Sequence, residues 1–302
     1  MKKIGAILFG ALLTIGAANA QEKAGAENPA ATPAQAETPA NEPLGQPNHI
    51  IDGYNKYSVR PIHSSDIMYK KTILRTLDLR EPQNKPLFST NRWITKLLID
   101  AAKRGDITPY NNDSLDMGKK LTLDEFGERI KMPSTAAELS PEEREIALAN
   151  GDSSVLQSAA GAEYFPNDLY QLQIKEDMIF DKQRSRMYYD IIAVTMFVPA
   201  DNPANVKGIQ IPIASFEYKE LVNKLFKDNP NAIWFNPQND QQHKNLADAF
   251  ELRLFSSYIE KVSNPSDAYL VDIYGGDQQK GIMASQWAAH DIMEYEHNLW
   301  EF

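Results

Sequence analysis

Hydrophobic positions recur along this chain with two different periods, and the change of period divides it. In "NRWITKLLIDAAKRG" (91–105), Ile94, Leu97, Leu98 and Ala101 fall at the spacing that lines one face of a helix. Asn91 reads as its N-cap, Lys103 and Arg104 suit the negative end of the helix dipole, and Gly105 stops it. "TLDEFGERIKMP" (122–133) predicts a second helix, with Thr122 and Glu125 as a capping box and Pro133 beyond its end. "SSDIMYKKTILRTLDLRE" (64–81) opens on cap residues and carries Ile67, Leu74 and Leu77 at approximately helical spacing, which predicts a third. Later the period shortens. "DLYQLQIKEDMIFD" and "MYYDIIAVTMFV" are rich in β-branched and aromatic residues and read as strands joined by a polar hairpin link. A helix follows from about Ser215, with Leu221, Val222, Leu225 and Phe226 inward and "DNP" ending it. "AYLVDIYGG" (268–276) then predicts a strand, and a terminal helix runs from about Ala284. Strands and helices do not alternate strictly, so the expected class is α+β, a mixed or antiparallel sheet with packed helices.

Composition sets the outer limits. "MKK", the apolar run Ile4–Ile15 and "AANA" form a secretory signal peptide over 1–20, with cleavage expected between Ala20 and Gln21. An uncleaved anchor would need roughly 20 apolar residues and no small-residue cleavage pattern. Residues 21–53 make an Ala/Pro/Glu-rich leader. Its 21–48 stretch has no aromatic residue and cannot bury enough apolar surface to offset its ordering entropy, so it reads as disordered. Residues 54–132 read as an N-terminal, mostly helical lobe, and 164–302 as a C-terminal α+β lobe. Between them, 133–163 again lacks aromatics and reads as an excursion linking the two. Within it Ser140 and Pro141 open a short helix that "NG" at 150–151 stops.

Charge and cysteine count exclude several classes. The formal net charge is −10 and no basic tract is present, which argues against nucleic-acid binding. The chain has no cysteine, hence no disulfide, no thiol catalysis and no thiol for lipid attachment. "IIAVTMFVPA" (191–200) is strand length and not membrane-spanning length. The expected product is a soluble exported protein whose association with a membrane is indirect, through a partner.

Candidate chemistry runs through five histidines, His49, His63, His243, His290 and His297. His243 stands between Asp240 and Asp248, but Asp240 also suits the N-cap of a helix carrying Leu246, Phe250 and Leu254. "FNPQND" reads as turn chemistry. His290, Glu294 and His297 lie at i, i+4 and i+7, a spacing that would serve a metal-dependent hydrolase. Ala288, Ile292, Tyr295 and Leu299 form an apolar set on the other side of the same helix. The polar set is then more simply its solvated face. No HExxH, GxSxG, GxxxxGK[ST] or GxGxxG occurs, and no catalytic, cofactor-binding or metal residue is assigned. Docking is the better reading. Trp234, Phe235, Trp287 and Trp300 stand among Tyr, Arg and amides, and "DKQRSRM" adds Arg184 and Arg186 to an acidic chain.

Several long segments carry a resemblance. "VRPIHSSDIMYKKTILRTLDLRE", "IKEDMIFDKQRSRMYYDIIAVTMFVPA", "SFEYKELVNKLF", "IWFNPQND", "NLADAFELRLFSS" and the ending "EYEHNLWEF" together resemble the GldN/PorN family. The resemblance implies a periplasmic component of the type IX secretion system, which in gliding species also supports motility. It implies a GldK/PorK-type outer-membrane lipoprotein as partner, a large ring, and contact with the GldL–GldM (PorL–PorM) motor. No catalytic motif comes with it.

Overall fold

A computed structural model describes residues 50–113, 115, 119–132, 163–203, 205 and 208–299. The expected signal peptide, residues 21–49 of the leader, the helix expected at Ser140 and Trp300 lie outside the described residues. The described chain opens with a small hairpin, β1 (Ile50–Ile51) and β2 (Tyr54–Asn55). Then come β3 (Ile67–Asp78), α1 (Ile94–Arg104), β4 (Pro109–Tyr110) and α2 (Leu123–Ile130). Further along run β5 (Gln171–Asp181), β6 (Arg186–Val198) and β7 (Ile211–Glu217). A helix α3 opens over Tyr218–Glu220 and continues as a π-helix over Leu221–Phe226. A second small hairpin, β8 (Ile233–Trp234) and β9 (Lys244–Asn245), leads into α4 (Leu246–Glu251). β10 (Tyr258–Val262), α5 (Leu270–Ile273) and α6 (Gln278–Asn298) complete it.

Six strands form one sheet in the order β10-β3-β5-β6-β7-β4, every neighbouring pair antiparallel. The α+β class and the antiparallel sheet are as expected from the pattern. β3 and β4, which precede the excursion, hydrogen-bond to β5, β7 and β10, which follow it.

Four of the expected elements need correction. The helix expected over 64–81 is a single 3-10 turn (Ser64–Asp66), capped by the His63 side chain, followed by the 12-residue strand β3. Both faces of β3 are covered, so Ile73 and Leu74 are as buried as Thr76 and Leu77. That continuous burial hides the alternation, while Thr72, Ile73 and Thr76 favour the extended chain by β-branching. The strand expected over 268–276 is instead α5, closed by Gly275 and Gly276 at positive φ, with Gly276 N donating to Val271 O at 2.8 Å. Ser215 belongs to β7, so α3 begins three residues later at Tyr218. The terminal helix begins at Gln278 instead of Ala284, because Asp277 accepts from Gln279 N and caps it earlier.

α1 keeps its expected face, with Ile94, Leu98 and Ala101 buried and Gly105 in the left-handed conformation, but Asn91 is not its cap. The N-cap is Trp93, and Asn91 turns the chain two residues earlier at φ +65°. The α2 capping box forms as expected, Glu125 N donating to Thr122 Oγ1 at 3.2 Å and Thr122 N to Glu125 Oε2 at 2.9 Å. Thr122→Ala is expected to cost about 1 kcal/mol, read from the urea midpoint.

The two faces of the sheet differ in kind. One carries Leu77, Leu172, Ile174, Val194, Met196 and Phe216 against α1, α2, α3 and α4. Aromatic pairs fill that layer: Phe126 meets Phe216 edge-on at 6.2 Å, and Phe226 stacks on Phe250 at 6.2 Å. The same face continues to Ile73 and Met178, which pack with Leu270, Ala284 and Ile292 of α5 and α6. Between these two apolar patches sits Glu176, fully buried, its carboxylate held by Arg75 and by Arg253 at 2.7 Å. The other face is more polar, although Leu74, Ile179 and Ala193 are buried on it.

Candidate docking surface

The residues expected to dock stand on three separate elements. Trp234, at the end of β8, packs on the main core and donates its indole N–H to Leu254 O at 3.2 Å. It is a packing residue with one partly open edge. Phe235 next to it is exposed, with its backbone N–H bound to Pro86 O at 3.0 Å and its ring 4.8 Å from the His243 ring.

The amide-rich loop between β8 and β9 is turn chemistry throughout. Asn236 Oδ1 accepts from Gln238 N, and Asn239 Oδ1 from Gln241 N, both at 3.0 Å. His243 Nδ1 accepts from Asn236 N at 3.1 Å, so that nitrogen is already used in closing the loop. Asp240 does not cap the following helix. Because β9 takes Lys244 and Asn245 into the hairpin, α4 cannot begin before Asn245, which caps it by accepting from Ala247 N at 2.8 Å. Leu254 lies beyond the end of α4.

Arg184 and Arg186 occupy the β5–β6 turn and the first residue of β6. Arg184 Nη1 donates to Asp181 Oδ2 at 2.8 Å, while Asp181 Oδ1 accepts from Gln183 N at 2.8 Å. Burial raises the pKa of Asp181, but the hydrogen bonds from Arg184 and Gln183 outweigh it and leave the group below the ordinary carboxylate value. Arg184 therefore braces the turn, with its guanidinium largely in solvent. Arg186 is exposed and pairs in register with Asp181.

α6 supplies the most open apolar surface. Ala284 and Ile292 face inward, with Ala288 packed beside them. His290, Glu294 and His297 face outward, and among the described residues no group of three His, Asp or Glu side chains is placed to hold a metal ion. That outward face is not purely polar, however. Ile282, Met283, Trp287 and Met293 share it, spread over an arc of roughly 140° at 100° per residue. Trp287 is 52% exposed and leans edge-on against Tyr274 of the α5 turn at 6.0 Å.

Sequence reading missed the polar sheet face. Antiparallel register aligns Thr76, Gln173, Thr195 and Ser215 in one row, all buried, with Thr195 and Ser215 hydroxyls 2.7 Å apart. On the same face Asp177 and Asp190 stand directly opposite one another. Asp177 accepts from Thr72 Oγ1 at 2.7 Å and pairs with Lys70 at 2.6 Å. The signal was present in "QLQIK", where Gln171, Gln173 and Lys175 alternate with Leu172 and Ile174.

The family model described as "Gliding motility associated protein GldN" matches residues 62–301, well over half the chain and every strand of the large sheet. The chain belongs to the GldN family. No curated protein matches it. GldN proteins are components of the gliding-motility and type IX secretion machinery, and in this member no described helix is long and apolar enough to cross a membrane. Within the GldN match lie both arginines of the β5–β6 turn, the Trp234–Phe235 pair and Trp287.

Proposed function

We propose that the chain is a non-enzymatic structural component of a periplasmic ring of the type IX secretion system. In that ring it binds a GldK/PorK-type outer-membrane lipoprotein and contacts the GldL–GldM (PorL–PorM) motor. Family membership over 62–301 carries this reading. The open apolar arc of α6 supports it, since Trp and Met with a polar surround suit a protein interface. Arg184, Arg186, Phe235, Trp287 and Trp300 are its proposed docking residues, with Trp234 as the buttress of Phe235. The signal peptide delivers the chain, and its association with the outer membrane is indirect.

Co-fractionation of the mature chain with outer membrane tests the assignment. In cells that contain the lipoprotein it is expected in the membrane fraction, and in cells lacking it in the soluble fraction. A chain that stays soluble in both defeats the ring reading. A double substitution, Met283→Ser with Trp287→Ala, is expected to reduce co-fractionation at least fivefold. Its cost in unfolding free energy should stay within about 2 kcal/mol, since both side chains are about half exposed and Trp287 gives up its contact with Tyr274, and the folded fraction is checked by circular dichroism.

A further inference from the structure

The polar sheet face carries a cleft of about 1080 Å³, above the usual range of small-molecule pockets. Leu74, Gln173, Thr195 and Ser215 form its floor, one residue from each of four adjacent strands. At roughly 4.8 Å per strand, such a row offers a guest a path across the sheet. A guest cannot easily add as a further strand instead. On the β10 edge, Ile259 N already donates to Ser285 Oγ at 2.8 Å; at the other end β4 covers Ser215 and Phe216 of β7, and beyond it Ile213 O accepts from Arg129 at 3.2 Å.

The sign of the guest follows from the walls. Among the described lining residues are five carboxylates, Glu81, Asp113, Glu260, Asp267 and Asp272, against the ammonium of Lys261, with Lys175 beside the floor pairing with Asp113 at 3.4 Å, so acids remain in excess. Lys261 shows what the site recognises: its Nζ sits 2.8 Å from Asp267 Oδ1 and 5.1 Å from the centroid of the Tyr269 ring. Tyr269 is raised above its ordinary pKa by burial first, then by Glu260, Asp113, Asp267 and Asp272, so all four carboxylates act on one hydroxyl. The floor adds neutral hydrogen-bonding groups suited to a peptide backbone, with Gln173 Nε2 already donating to Glu260 Oε2 at 2.7 Å. The chain's own leader and excursion have the wrong charge. Residues 21–48 carry Glu22, Glu27, Glu37 and Glu42 against Lys23, and 133–162 carry five acids against Arg144.

We propose that this cleft binds an extended, lysine- or arginine-bearing segment of a partner polypeptide, laid across the strands. The inference does not rest on the ring assignment, because it is argued from the charge and floor of the cleft, although Ile282 of α6 stands at its rim. The probe is a fluorescein-labelled dodecapeptide of alternating Lys and Ser, titrated with the mature chain and followed by anisotropy, beside its Glu–Ser counterpart. Saturable binding of the lysine peptide alone is expected, weakening as salt rises. Glu260→Gln with Asp272→Asn is expected to weaken it at least tenfold. Asp124→Asn with Glu128→Gln, the same charge change on the exposed surface of α2, should leave it within twofold. Absence of saturable binding overturns the proposal. So does equal loss in both double variants, which would assign the attraction to the net charge of the chain.

Discussion

Glu176→Ala is expected to lower the unfolding free energy by about 3–5 kcal/mol, the largest single effect foreseen outside the aromatic core. The side chain is fully buried between the two apolar patches of the sheet and neutralises Arg75 and Arg253 together. Arg253 also lies over the Tyr189 ring at 4.4 Å, so its guanidinium is enclosed by protein on two sides. Removing the carboxylate leaves two guanidinium groups unpaired, Arg75 nearly buried and Arg253 partly open to water, which costs more than the net worth of the ion pairs. Arg75→Met, Glu176→Leu and Arg253→Met made together should recover most of the loss, because no charge is then left unpaired. Urea unfolding at constant m-value measures both. A loss below 1 kcal/mol for Glu176→Ala would show that the two arginines reach solvent when released.

Asp190 is expected to make the fold less stable as pH rises through neutrality. Burial is the main cause of its elevated pKa, about 7, with the Asp177 carboxylate across the strand pair adding to it. The Ser58 hydroxyl and the Lys70 and Lys219 ammonium groups offset part of that rise, and Tyr218 lies in the same field. An unfolded aspartate titrates near 3.9, so the folded chain binds more protons between about pH 4 and 7. The stabilisation is therefore fully present below about pH 4 and lost as pH passes through about 7. That gap between the folded and unfolded values sets a ceiling on the order of 4 kcal/mol, which residual solvent contact at this half-buried group lowers. Asp190→Asn should unfold at higher urea than the parent at pH 8 and show a flatter profile between pH 5 and 8. Glu217, also raised by burial, pulls in the same direction, so the quantity to read is the difference between parent and variant. An unchanged slope in Asp190→Asn would remove Asp190 as its source.

The elements with internal signals were legible from the residues alone. Thr122 and Glu125 satisfy each other's backbone within four residues, and Gly105 ends α1 by its own φ, so neither depends on distant chain. The β5–β6 hairpin is similarly local: Asp181 organises its own turn through Gln183 and Arg184. β3 was not legible, because its apolar positions are set by two neighbouring strands and by the layers on both faces. Of the residues expected to dock, Trp287 is exposed, whereas Trp234 turns its indole to Leu254 O, a partner 20 residues away.

The α+β class, the absence of cysteine and family membership were decided by the linear order of residues, since each rests on sequence pattern or composition. Tertiary structure alone brought the polar sides of four strands together as one face. It also decided that Glu176 has two arginines, and that Asp177 meets Asp190 across a strand pair. Those outcomes depend on register between strands distant in sequence, and a one-residue slip in that register would reverse every side chain from one face to the other.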